Sequence, residues 1–246
     1  MSYYTMQNQE IRVLDDGQLH KIVESIYNQI DSIIPFAQGF SAKPLYSIKN
    51  AKSETASTRT VYRRLHDLNS VGLANFRRGV FEIKRGAILQ PAPVLKKLIP
   101  SLIALKNGRR FGRYYNELDI NFAKKQLPEK FLTTLDYAAW ELTKFQTPSD
   151  FFIYVNDMDK ASEFLKNNKF SEGNSGHVVL LPKIGNFINE VERVYLDCIA
   201  NDGRSLLDAI ALELLYGDYL SVKGQFPIEY VKKVQEDMPK ARLVHE

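Results

Sequence analysis

The chain has 246 residues, of which 44% are apolar and 25% charged, with a formal net charge of +4. These are ordinary globular values, enough for one large domain or two smaller ones. No apolar run approaches the roughly 18 residues a membrane span needs, the polar start MSYYTMQNQEIRVLDDG is not a secretory leader, and the single Cys198 cannot form an internal disulfide, so a reducing cytoplasm is the expected setting.

The charge is unevenly spread. Residues 1–115 carry 18 Lys and Arg against 8 Asp and Glu, whereas residues 116–246 carry 15 against 21. A basic front half and an acidic back half suggest two units with different partners. The densest stretch, Lys43 to Arg85, holds ten cations and three anions, a plausible phosphate footprint.

In chain order, Gly17 to Ile34 repeats apolar residues with helical period and ends before Pro35. Residues 43–49 (KPLYSIK) read as a second, short helix with Pro44 in its first turn. A third helix starts near Ser57 or Thr58, whose hydroxyls suit a cap. Val61, Leu65 and Leu68 form its apolar stripe, and Gly72 suits the left-handed residue that closes it. LANF and VFEIK then flank RRG as a strand, turn and strand. Helix, helix, helix, hairpin is the order of a winged helix-turn-helix.

QPAPVLKKLIP is expected to enter a connecting helix, and KNGRRFGRYYN to be a loop or hinge. The expected division is therefore a DNA-binding unit over residues 1–90, a linker over 91–115 and a mixed α/β unit over 116–246, an α+β protein overall. Within the last unit, residues 128–145 read as a helix, DFFIYV as a strand, MDKASEFLKNN as a helix, GHVVLLP and ERVYLDCI as strands, and GRSLLDAIALELLYG and PIEYVKKVQEDM as helices.

The residues that carry chemistry lie on the third helix. Arg59, Tyr62, Arg63 and His66 are spaced i, i+3, i+4, i+7 and share the side opposite the apolar stripe. Arginine can bind guanine O6 and N7 together, so this side suits base reading in a major groove. Ser57 and Thr58 at the helix start, Lys43, and Arg77 and Arg78 at the hairpin tip are candidates for phosphate contacts. A protein-binding winged helix is the alternative use of the same pattern.

Enzyme readings find less support. In GRRFGRYYNELDINF the paired-aspartate position, Asp119-Ile120-Asn121, supplies one carboxylate, where a two-metal nucleotidyltransferase site needs more negative charge. Glu192 and Asp197 read as surface acids flanking a strand, and Cys198 as a small buried residue. SEGNSG (Ser171 to Gly176) lacks the Lys-Ser/Thr ending of a P-loop and reads as a turn. Four histidines, at 20, 66, 177 and 245, lie far apart, and no spacing suits a structural zinc. No catalytic residue, metal site or cofactor is therefore expected. A nuclease or nucleotidyltransferase carrying a winged helix remains the rival reading.

The segment TRTVYRRLHDLNSVGLANFRRGVFEI resembles the winged helix of many prokaryotic regulators. LTTLDYAAWELTKFQTPSDFFIYVND and GHVVLLPKIGNFINEVERVYLDCIANDGRSLLDAIALEL resemble the two main blocks of AbiEi-type antitoxins. In that family a strand of the form Tyr-Leu-Asp, here Tyr195 to Asp197, leads into a helix ending near two leucines, here Leu214 and Leu215. The resemblance spans roughly residues 40 to 220. It implies a transcriptional regulator that binds double-stranded inverted repeats in its own promoter, self-associates there and counteracts an AbiEii-type, nucleotidyltransferase-like toxin. Residues 1–40 add a helix that the usual pattern lacks.

Overall fold

The computed structural model describes residues 45–47, 58–70, 72–77, 80–88, 90–113, 116–128, 130–173, 175–184 and 189–245. The expected first helix, Gly17 to Ile34, lies outside them.

The front unit is built on a three-stranded sheet. Strand β1 (Leu45–Ser47) pairs antiparallel with β3 (Val80–Ile83), and β3 pairs antiparallel with β2 (Ala74–Arg77). Residues 45–47 are therefore strand, not the expected helix: a run this short carries both periods, and the partner strand decides between them. Pro44 suits the start of a strand as well as the first turn of a helix.

Between β1 and β2 runs helix α1 (Thr58–Ser70). Its Leu65 and Leu68 are buried, as the apolar stripe predicts. Gly72 closes it at φ +77°, and a Cβ there would stand 2.9 Å from the Leu102 carbonyl oxygen. Glycine is thus required both by backbone conformation and by close approach. Lys106 donates to the Ser70 carbonyl at 2.9 Å, placing a cation at the negative end of α1.

After a single turn of helix, α2 (Arg85–Ile88), comes α3 (Ala92–Lys106), followed by β4 (Arg109–Gly112). The stretch expected as a linker is thus largely regular and buried. Val94, Leu95, Leu98, Ile99 and Leu102 of α3 share one apolar core with Leu65, Leu68, Leu73 and Ile83 of the front unit. Two further ties hold that unit to the back half: Lys84 Nζ donates to the Ala200 carbonyl at 2.8 Å, and Gly86 N donates to Asp202 Oδ1 at 3.1 Å.

The back half is a five-stranded sheet in the order β5-β6-β8-β4-β7. It comprises β4, α4 (Asn116–Gln126), β5 (Leu132–Thr134), α5 (Leu135–Thr143), β6 (Phe151–Val155), α6 (Met158–Asn167), β7 (Ser171–Glu172) and β8 (Val178–Pro182). Only β6 and β8 run parallel, joined through α6; the other pairs are antiparallel. Both parallel strands are buried throughout, which is why they read as continuous apolar runs.

Alternate residues of these strands serve two cores. Phe151, Ile153, Val155, Val178 and Leu180 face Ile120 and Ala123 of α4 and Ala161 and Leu165 of α6. Phe152, Tyr154, Val179 and Leu181 face α3, α5 and two of the last helices, α7 (Glu190–Asn201) and α8 (Ser205–Tyr216). The final helix, α9 (Ile228–His245), packs Val234 against Ile210 and Ala211 of α8.

Three further expectations change. Residues 192–199, read as a strand, form most of α7. Residues Arg193 to Ala200 are all buried, and a helix sunk on every side loses the polar stripe that would reveal its period. The helix expected over 128–145 starts only at Leu135, because Leu132–Thr134 pair with β6 as β5. Thr134 sits at the N-cap without capping; its hydroxyl donates to Asp197 instead. Asp197 itself is fully buried, not a surface acid, and its Oδ1 accepts from the Tyr154 hydroxyl at 2.8 Å. Cys198 is buried as expected, though on a helix, and burial pushes its thiol well up.

Candidate nucleic-acid interface

Helix α1 presents the residues expected to meet nucleic acid as far as the structure describes them. Arg59 and Arg63 are exposed, one turn apart, on the side away from Leu65 and Leu68. His66 is half-buried. Its ring packs against Phe76 of β2, with centroids 5.5 Å apart and a 54° tilt. That contact places His66 at the seam between the helix and the hairpin, a less open position than that of the two arginines. Thr58 opens α1, Tyr62 lies in its second turn, and Arg77 ends β2. Lys43, Ser57 and Arg78 lie outside the described residues.

The hairpin follows α1 directly. Leu73 N donates to the Leu68 carbonyl at 3.0 Å and Lys84 N to the Leu73 carbonyl at 2.9 Å, so the turn after α1 fixes both hairpin strands beside it. Arg77 pairs with Val80 at the tip of that hairpin. The structure thus joins one helix face and one hairpin, while Lys84 of the same basic stretch turns to the Ala200 carbonyl of α7.

The carboxylates weighed for metal chemistry are each engaged elsewhere. Asp119 on α4 accepts from Arg113 N at 2.6 Å and from Arg113 Nε at 2.8 Å. Glu192 on α7 holds Lys97 at 2.6 Å and Ser221 through both N and Oγ. Asp197 is sealed between β5, β6 and α7. Among the described residues no group of three or more His, Cys, Asp or Glu side chains is placed to hold a metal ion.

A second polar centre escapes sequence reading. Asp150, just before β6, has Arg110 of β4 at 2.7 Å on Oδ2 and His177, just before β8, at 2.8 Å on Oδ1. Arg110 also donates to the Gly176 carbonyl at 2.9 Å. Of this cluster His177 lines a cavity of about 210 Å³, together with Gly112 at the end of β4, Arg113, Asp119 and Glu172. Strand β7 with Gly173, Ser175 and Gly176 forms one wall, and there Gly176 packs directly on the β4 backbone: a Cβ on it would lie 2.2 Å from the Phe111 carbonyl carbon. The only sequence hint was that pair of glycines.

No family model matches the chain, and no curated protein or solved structure is significantly similar to it. Among the described residues, no helix is long and apolar enough to cross a membrane.

Proposed function

We propose that the protein is a DNA-binding transcriptional regulator whose front unit is a winged helix-turn-helix, with α1 as the recognition helix and the β2–β3 hairpin as the wing. The observation that carries this reading is the disposition of α1: Leu65 and Leu68 are buried while Arg59 and Arg63 are exposed, with a hairpin fixed immediately beside the helix. The return of β1 to pair with β3 supports it, since a strand ahead of the recognition helix completes the small sheet from which a wing projects. Arg59 and Arg63, with Tyr62, would read base edges. Arg77 and Arg78, with Lys43, Ser57 and Thr58, would position the protein on phosphates.

By the resemblance of its back half, the protein acts as an AbiEi-like antitoxin. It represses its own promoter at inverted repeats, pairs with a second copy there and opposes a nucleotidyltransferase-type toxin. The test is a gel shift of the full chain on the DNA upstream of its own reading frame at two ionic strengths. Retarded complexes that weaken steeply with salt and resist random competitor are expected. Binding that ignores salt, or no preference for that DNA, overturns the reading.

A further inference from the structure

The β2–β3 hairpin stands on two feet. One is α1, where Leu73 N donates to the Leu68 carbonyl at 3.0 Å. The other is the back half, reached through residues 84–90, which lead from β3 to α3. Lys84 Nζ donates to the Ala200 carbonyl near the end of α7, and Gly86 N donates to Asp202 Oδ1 just beyond it. The approach is close: a Cβ on Gly86 would lie 2.5 Å from Asp202 Oδ1 and 2.5 Å from Leu206 Cδ1.

Gln90 closes this segment. It is only 4% exposed, and its amide is engaged on both atoms. Nε2 donates to the Gly86 carbonyl at 2.7 Å and to the Gln225 carbonyl at 2.8 Å, while Oε1 accepts from Gln225 N at 2.8 Å. One side chain thus pairs with both backbone groups of Gln225, as a neighbouring strand would, and also reaches back to Gly86. A buried amide left without these partners would be costly.

What Gln90 grips is itself anchored. Gln225 lies in residues 217–227, which join α8 to α9. Gly224 N donates to the Tyr195 hydroxyl at 2.6 Å and to Glu213 Oε2 at 3.1 Å, and the Tyr195 hydroxyl donates to Glu213. Ser221 N donates to Glu192 Oε2 at 2.6 Å, and Asn189 Nδ2 to the Tyr219 carbonyl at 2.8 Å. Side chains of α7, its cap and α8 therefore hold the segment in place, and the second foot of the hairpin rests on it and on the turn after α7.

We infer that Gln90 and Gly86 are positioning residues through which the back half sets the pose of the β2–β3 hairpin beside α1, and with it the specificity of the DNA contact. The second part rests on the DNA reading. Gln90 suits a test because it is uncharged and buried: its loss changes no charge and removes no group that nucleic acid could touch. An effect of its replacement on DNA binding must come through position.

The experiment compares the full-length parent with Gln90→Met, and with Gly86→Ala as a second variant that pushes against Asp202 and Leu206 instead of removing an amide. Without DNA, amide hydrogen exchange in β2 and β3 should quicken about tenfold, while exchange in β6 and β8 stays as in the parent. On the DNA upstream of the reading frame, affinity should fall about tenfold, with random-duplex affinity and the salt slope unchanged. Unchanged exchange in β2 and β3, exchange rising equally in β6 and β8, or an upstream-DNA affinity equal to the parent's overturns the inference. A parent with no preference for that DNA sinks the DNA reading instead, and the exchange comparison still decides whether the back half holds the hairpin.

Discussion

The Tyr154 hydroxyl donates to Asp197 Oδ1 across 2.8 Å, joining the centre of the sheet to a helix whose middle is wholly buried. The other carboxylate oxygen takes the Thr134 hydroxyl, so strands β5 and β6 are both tied to α7 through one side chain. Burial pushes the Asp197 carboxyl up, while hydrogen bonds from Ser101, Thr134 and Tyr154 and the nearby Arg193 oppose that shift. Tyr154→Phe removes the donor and leaves a buried oxygen one partner short, at a cost of about 1–3 kcal/mol. Urea denaturation should show the lower midpoint with an unchanged slope. A variant as stable as the parent would mean that the bond contributes nothing net.

Asp208 on α8 makes the opposite prediction. It is buried, and its Oδ1 has no hydrogen-bond partner among the described residues. Burial pushes its carboxyl up to about 7, with Asp136 adding to the rise and Gln146 and Arg204 opposing it. The folded state therefore keeps a proton that the unfolded chain releases near pH 4. The resulting stability is full below about pH 4 and is lost as the pH rises to about 7. Asp208→Asn should be more stable than the parent at pH 8 and show a flatter stability profile from pH 4 to 7, by thermal melts across that range.

Two glycines of one turn should behave differently. A methyl group on Gly176 would stand 2.2 Å from a backbone carbon of β4, and backbone cannot swing aside. Gly173 has nothing within 4 Å and no positive φ. Gly176→Ala should lower the melting temperature by several degrees or fail to fold. Gly173→Ala should melt with the parent or slightly above it. Equal melting of the two would show that the turn yields freely.

For the DNA reading, Arg63→Ala should lose more affinity on the operator than on random duplex, because a bidentate arginine–guanine contact is worth about 1–3 kcal/mol of discrimination. If about five cations of the interface each neutralise a phosphate, the salt slope of the parent lies near −4.5 on a log–log plot. Arg77→Ala should flatten that slope by about one and weaken both duplexes alike. Fluorescence anisotropy across a salt series measures both. Parallel losses for the two variants on both duplexes would remove the base-reading role from α1.

The amino-acid sequence by itself determined the elements whose signal is local. The buried side of α1 and its stop at Gly72, the all-apolar strands β6 and β8, and helices α6, α8 and α9 all follow from period, length and turn residues. Asn189 also caps α7 by accepting from Glu192 N at 3.1 Å, a local signal for a helix that the apolar run Val194–Leu196 obscured.

Only the tertiary structure decided β1, β4 and the His177 cluster. Strand β4 has a single fully buried residue, Phe111; its arginines become strand residues because Arg109 and Arg110 pair with Leu180 and Val179 of β8. His177 meets Asp150 from 27 residues away and Arg110 comes from a third strand, so no spacing within the sequence announces their meeting. Local preference is set within a few residues along the chain, but a strand partner, a counter-ion or a shared cavity exists only once distant segments have packed.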